Sequence, residues 1–260
     1  MIRRLPTVLV LVATAAILLA GCNGGTAGPT LTDPKAIVTA ALVSTQNAKS
    51  VHLEIAVDGT ASVALPIGGA TGTPIDLTGT TASADIDFAG PAARATFAVP
   101  ALLGFAGELI AVDSKAYLKT TLTGPLYQAS SAAAPVDPTR TQAMIASLGE
   151  LLSKPGVNLT KGNDMACGTK SCYTVTADLT AADLGTSGAG AIGSLPVDLA
   201  GATMKLTLRV EKDLPYHLAG VTAVVSMPKN AILTMELTAS KWDAPVSVTA
   251  PPAAQVKPAS

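Results

Sequence analysis

The sequence predicts an α+β fold: a strongly curved antiparallel sheet with helices packed on its concave side. Three observations lead there. Asp33-Pro34 and Asp137-Pro138 each open a run of apolar residues at helical spacing. Most of the remaining chain is short stretches of alternating apolar and polar residues, cut by Gly, Pro and Asp-Ser turns. Glycines inside those stretches favour bending of the strands.

In chain order, Asp33 caps the first helix and Pro34 opens it. Ile37, Val38, Ala41, Leu42 and Thr45 make one face, and the helix ends near Asn47. Val51, Leu53, Ile55 and Val57 then alternate with His52, Glu54, Ala56 and Asp58, the pattern of a half-buried strand. Further strands are expected at Ala61–Leu65, Ile75–Phe88, Ala92–Val99, Glu108–Asp113 and Ala116–Thr121, between turns at Gly68-Gly69, Gly90-Pro91, Asp113-Ser114 and Gly124-Pro125. The second helix carries Met144, Ile145, Leu148, Leu151 and Leu152 on one face and stops at Lys154-Pro155-Gly156. Strands return at Val157–Thr160 and Cys172–Asp178, followed by a helical turn after Thr180 and a glycine-rich loop from Gly185 to Gly193. Met204, Leu206, Leu208 and Val210 form the clearest alternation. Tyr216 and Leu218 fall out of phase with Val221, Ala223 and Val225, which predicts a bulge at Ala219-Gly220. Ala231–Ala239 is the last long strand, and residues 251–260 read as a loose tail. Helix then meander occurs twice, a weak internal echo.

The N-terminus has the three zones of a secretory signal over residues 1–21: Arg3-Arg4, the apolar run Leu5–Ala20, and small residues at its end. Leu19-Ala20-Gly21-Cys22 also matches the lipobox. That match implies a diacylglyceryl group on the Cys22 sulfur and cleavage before it. The alternative, an uncleaved membrane anchor, is disfavoured because the run falls short of the ~20 apolar residues of a span. Residues 22–32 then form a lipidated cysteine and a Gly-rich flexible tether. A single domain over residues 33–250 is expected on the extracytoplasmic side of the cell membrane, held there by the Cys22 lipid.

Past residue 21 the chain has 15 basic and 18 acidic side chains, a net charge of −3. No basic surface for nucleic acid is implied. Only 13% of residues are charged while 48% are hydrophobic, against about 25% charged in ordinary soluble proteins. So much aliphatic surface needs either a large core or an internal cavity, and composition leaves both open. One Trp, four Tyr and three Phe provide few ring platforms for sugars or bases. Alkyl chains fit better as a partner. Cys167 and Cys172 flank a four-residue turn and would pair in an oxidising compartment. A metal site there would need further ligands, and His52 and His217 are the only histidines.

Enzyme motifs find little support. Gly188-x-Gly190-x-x-Gly193 lacks the strand and helix that a dinucleotide fingerprint requires. No serine has a nucleophile-elbow pattern. His52 falls in the polar phase of its strand, His217 lies beside a turn, and Asp85 and Asp87 share one strand face in the manner of solvated acids. No catalysis and no cofactor are expected.

Leu206-x-Leu208-x-Val210-x-Lys212-x-Leu214-Pro215 resembles the strand–turn–strand hairpin of the LppX/LprA/LprF/LprG lipoproteins of mycobacteria and related bacteria. The ending, from Leu237 through Lys241-Trp242-Asp243-x-Pro245-Val246 to Pro252, is similar to that family's ending. Ala36–Leu42, Val51–Val57 and Tyr117-Leu118-Lys119 resemble its early helix, first strand and middle hairpin. The resemblance implies a LolA/LolB-like half-barrel over helices, an apolar cavity between them, and carriage of acyl lipids or lipoglycans across the cell envelope. The inward strand residues expected to line the cavity are Leu53, Ile55 and Val57, then Leu206 and Leu208, then Leu233, Met235 and Leu237. Leu42, Ile145 and Leu148 would face them from the helices. The membrane, through the anchor, and a lipid-exporting membrane protein are the further partners expected. The alternative is a structural or interaction lipoprotein with a filled core and a protein partner. The glycine-rich segments 67–80 and 186–196 have no evident counterpart in the family.

Overall fold

The computed structural model describes residues 28–62, 74–130, 138–183, 201–228 and 231–257. The signal, Cys22, most of the tether, part of the 67–80 segment and the Gly185–Gly193 loop lie outside them. Among the described residues, α1 (Pro34–Gln46) and α2 (Pro138–Ser153) each precede a run of antiparallel strands. The first run is β1 (Ser50–Ser62), β2 (Pro74–Asp76), β3 (Thr80–Asp87), β4 (Ala92–Val99), β5 (Phe105–Val112), β6 (Lys115–Thr120) and β7 (Gln128–Ser130). The second is β8 (Leu159–Lys161), β9 (Met165–Cys167), β10 (Lys170–Thr180), β11 (Thr203–Glu211), β12 (Leu218–Met227) and β13 (Ala231–Ser240).

These strands form one open sheet in the order β7-β6-β5-β4-β3-β1-β13-β12-β11-β10-β8, with β2 on β1 and β9 on β10. The two meanders are joined where the first strand meets the last, β1 against β13. Helix followed by meander occurs twice along the chain, but the first meander runs outward from this seam and the second runs inward to it.

Local chemistry explains the boundaries. The Asp33 carboxylate accepts the Ala36 N–H at 2.9 Å, and Pro34 sits where a helix has no use for its own N–H. The expected Ile75–Phe88 strand is two: Asp76 accepts from the Thr78 N–H, closing a turn at residues 77–79 between β2 and β3. The bulge falls where the phase slips, since Arg209 pairs with Gly220 but Val210 with Leu218, leaving Ala219 unpaired. Gly107 is required by close approach: a Cβ there would stand 2.5 Å from the Phe97 ring and 2.7 Å from the Lys119 carbonyl oxygen. Cys167 and Cys172 form a disulfide across the β9–β10 turn, with Cα atoms 5.9 Å apart.

The register gives the sheet an apolar and a polar face. Tyr173, Val175, Leu206, Leu208, Ala223, Val225 and Leu233 point one way and pack against Ile37, Val38, Ala41, Leu151 and Leu152 of the helices. α1 lies against α2 and across β8, β10, β11 and β12, so this core sits beneath the second meander. A smaller cluster, Val51, Ile86, Ala93, Ala111 and Ala239, continues the same face under the first meander, and Trp242 packs against both clusters.

The end of the chain corrects the expectation of a loose tail. Ser50 Oγ donates to the Ala244 carbonyl at 2.5 Å and Asp243 N–H to the Ser50 carbonyl. Further on, Val256 forms a parallel bridge to Tyr127, with Tyr127 N–H bonded to Gln255 O and Lys257 N–H to Tyr127 O, both at 2.8 Å. Residues 244–256 thus run from β1 to the β7 edge, five strand spacings or about 24 Å. The segment is a strap as far as Lys257.

Candidate functional site

The eight strand residues expected to line a cavity all fall on the helix-bearing face. Leu53 pairs with Ala239, Ile55 with Leu237, Val57 with Met235, Val225 with Leu233, and Leu208 and Leu206 with Val221 and Ala223. Burial divides them. Leu206, Leu208 and Leu233 are 3%, 1% and 4% exposed, packed into the core beneath the helices. Leu53, Ile55, Val57, Met235 and Leu237 are only partly buried, as are Leu42, Ile145 and Leu148 on the helices. The half-buried strand residues belong to β1 and β13, the seam between the meanders. On the first meander, Ala84 and Ala82 stand beside Leu53 and Ile55, and Ala95 and Phe97 stand beside those. Sequence reading missed this extension because alternation in an Ala- and Thr-rich strand has little hydrophobic contrast.

The opposite face is polar and several of its charges are paired. His52 Nδ1 lies 2.7 Å from Asp85, and Arg209 lies 2.9 Å from Glu236. Glu108 accepts from Arg94 Nε and from the Tyr127 hydroxyl, both at 2.7 Å, with Lys119 at 3.0 Å. Burial pushes the Glu108 carboxyl up, but those three donors and the Arg94 charge outweigh it and hold its pKa at about 2. An open hollow of about 590 Å³ on this face is lined by Glu54, Thr81, Ser83, Thr96, Glu236 and Thr238 among others. Ile55, Ala56, Ala82, Phe97 and Ala98 complete its lining, so polar and apolar groups alternate around it.

His217 is not the surface residue its turn suggests. It is 5% exposed and stacked on Trp242, ring centroids 4.9 Å apart, with Nε2 3.6 Å from Asp243. Trp242 Nε1 donates to the Leu218 carbonyl at 3.1 Å. Burial lowers the His217 pKa, against the pull of Asp243 and Glu211. Among the described residues, no group of three or more His, Cys, Asp or Glu side chains could hold a metal. Nor is any described helix long and apolar enough to cross a membrane.

The sequence profile of the LppX_LprAFG lipoproteins matches residues 33–248. The chain belongs to the LppX/LprA/LprF/LprG lipoprotein family. Its fold is shared with LprF from Mycobacterium bovis, at a TM-score of 0.57 and 19% identity, over 87% of this chain and 99% of that one. The lipoprotein LppX from Mycobacterium tuberculosis aligns at 0.53 and 19% identity, over 84% of this chain and all of the other. A LolA superfamily protein from Nitrosomonas europaea aligns at a TM-score of only 0.26 and 10% identity, over 85% of this chain and 96% of that one. A search of curated protein sequences finds no match. The family profile ends at residue 248, inside the strap, so the Trp242-Asp243-x-Pro245-Val246 resemblance falls where the strap leaves β13.

Proposed function

We propose that this lipoprotein binds acyl lipids or lipoglycans on the helix-bearing face of its sheet and carries them across the cell envelope. In this reading Cys22 bears the lipid that holds the protein at the extracytoplasmic face of the membrane. No reaction is part of the function.

One observation supports the reading above the others. The aliphatic stripe along β1 and β13 is left half-buried, although the same face is fully packed under the helices a few strands away. An alkyl chain gains about 0.8 kcal/mol for each CH₂ taken out of water, and this stripe is an apolar strip for it to lie along. The binding residues are Leu53, Ile55, Val57, Met235 and Leu237, with Leu42, Ile145 and Leu148 on the helix side. Leu206, Leu208 and Leu233 form the floor that keeps the sheet in shape.

That packed core also fits an interaction lipoprotein that holds a protein partner and no lipid. Native mass spectrometry of the purified chain, followed by lipid extraction, separates the two. Co-purifying acyl lipid, lost in an Ile55→Trp variant of unchanged melting temperature, is the expected result. A clean protein mass, with no uptake from offered membrane lipids, would overturn the carrier reading.

A further inference from the structure

We propose that the tips of the β4–β5 and β6–β7 hairpins insert into a lipid bilayer. This concerns a surface separate from the stripe on β1 and β13, and it stands whether or not that stripe holds lipid.

The two tips are neighbours. β5 and β6 pair from Gly107 with Thr120, and Thr121 N–H donates to the Ala106 carbonyl at 2.9 Å. Four leucines are exposed there. Leu103 is fully open to solvent, Leu122 is 83% exposed, and Leu102 and Leu126 are more than a third exposed. No charged residue or histidine occurs between Arg94 and Glu108, or between Lys119 and Asp137, in a chain that is 13% charged. The charges of these strands lie farther along them, in the Glu108 cluster.

Leu103 adopts φ 56°, the left-handed region that disfavours a bulky side chain. It has no packing there to compensate. In water a glycine or asparagine would serve the turn better. A leucine held at a protruding tip against both local preferences is explained when the tip is buried elsewhere.

Several polar groups at the tips are bonded within their own turns. Leu102 N–H donates to Val99 O, Gly104 N–H to Pro100 O, and Phe105 N–H to Leu102 O. Thr120 and Thr123 bond each other through both backbone and hydroxyl groups. Polar groups tied up within the turn cost little to remove from water, which is the condition for entering a bilayer.

A bilayer fits these tips better than a protein partner does. They expose no Trp, Tyr or Arg of the kind that anchors protein hot spots, since Tyr127 at the end of the β6–β7 connection is buried. A fluid apolar phase needs no matching shape. The tips carry no basic residue, so the contact requires no anionic lipid. The chain enters the fold at the opposite end of the strands, where Tyr216 donates to Pro29 O and Leu31 N–H to the Tyr173 hydroxyl. An eight-residue strand such as β4 separates the two ends by about 26 Å. The first described residues therefore lie at the end of the strands remote from the tips.

The test uses the full lipidated chain in phosphatidylcholine vesicles, with an environment-sensitive fluorophore on Ala101→Cys at the tip. Brominated acyl chains are placed first in the host vesicles and then in added acceptor vesicles. Quenching of the tip label in either arm, with none for a label on Ser171→Cys at the other end, is expected. The Leu103→Asn/Leu122→Ser variant should weaken this contact about tenfold or more, while its melting temperature holds or rises. Absence of quenching in both arms would overturn the proposal, as would quenching undiminished in the double variant. Docking that requires added protein would count against a bilayer in favour of a protein partner.

Discussion

His217 is the residue whose setting departs furthest from what its neighbours in sequence suggest. It stacks on the only tryptophan, Trp242, and burial keeps its pKa below 6.5. The folded state therefore binds a proton less readily than the unfolded chain. The stabilisation is complete above about pH 6.5 and is lost as pH falls through the folded value. Trp242 fluorescence, titrated from pH 8 to 4, should change with a midpoint below 6.5 in wild type, and the step should vanish in His217→Gln. A midpoint above 6.5 would contradict the setting described. Glu108 has the same sign in a lower window. Its pKa lies at about 2 instead of 4.5, so its stabilising effect is present above 4.5 and disappears towards pH 2. Full linkage across that window is at most about 3 kcal/mol, and less because Arg94 is open to solvent. Denaturant titrations should show Glu108→Gln less stable than wild type at pH 7 and nearly equal to it at pH 2.

At the scale of elements, the strap and the half-exposed stripe are the features with consequences. The far end of the strap, Pro251, Ala253 and Val256, lies beside Lys115 and Tyr117 of β6, and Tyr127, which it bridges, is only 4% exposed. Val246 and Val248 are half-buried between exposed Pro245, Ser247 and Thr249, so one side of the strap packs down. Ending the chain after Ala250 removes the Tyr127–Val256 bridge and its two backbone hydrogen bonds. A loss of about 1–3 kcal/mol in unfolding free energy is expected, measured by urea titration at constant m-value. No change would mean the strap is held only at its Asp243 end. Along the stripe, Met235→Trp should abolish lipid co-purification with little effect on melting. Leu208→Trp, at a site 1% exposed, should destabilise the fold through overpacking by about 1–3 kcal/mol and so report on the core.

For the whole molecule, the sheet is one continuous structure built from two helix–meander units, and its two halves are covered differently. The second meander is sealed by α1 and α2; among the described residues the β1–β13 seam is only partly covered, Val57 and Met235 packing against the helix core and Leu53 and Leu237 against the smaller cluster. That asymmetry allows a single sheet to supply both a rigid floor and an apolar strip. Two consequences follow for the intact protein. Bound lipid should raise the melting temperature in proportion to occupancy, because a ligand of the folded state alone stabilises it, and delipidation should lower it. Reconstituted in vesicles, the chain should engage a bilayer through Leu103 and Leu122 independently of that occupancy.

Local sequence determined much of this. The helix starts were legible at Asp33-Pro34 and Asp137-Pro138 because a cap and a missing N–H act within one turn. The strands Ala92–Val99 and Met204–Val210, the bulge at Ala219 and the Cys167–Cys172 pair were legible because alternation and short spacing are local properties. The ending around Trp242 was enough to suggest the family. Tertiary structure alone decided the pairing of β1 with β13, which joins residues as far apart in sequence as His52 and Ser240. It alone separated Leu206, Leu208 and Leu233, which are buried, from Ile55 and Met235, which are half-buried, since alternation gives the face of a strand but not what covers it. It also turned an apparently loose tail into a strap and a turn histidine into a buried one. In both cases burial comes from distant segments, and no window of neighbouring residues contains that information.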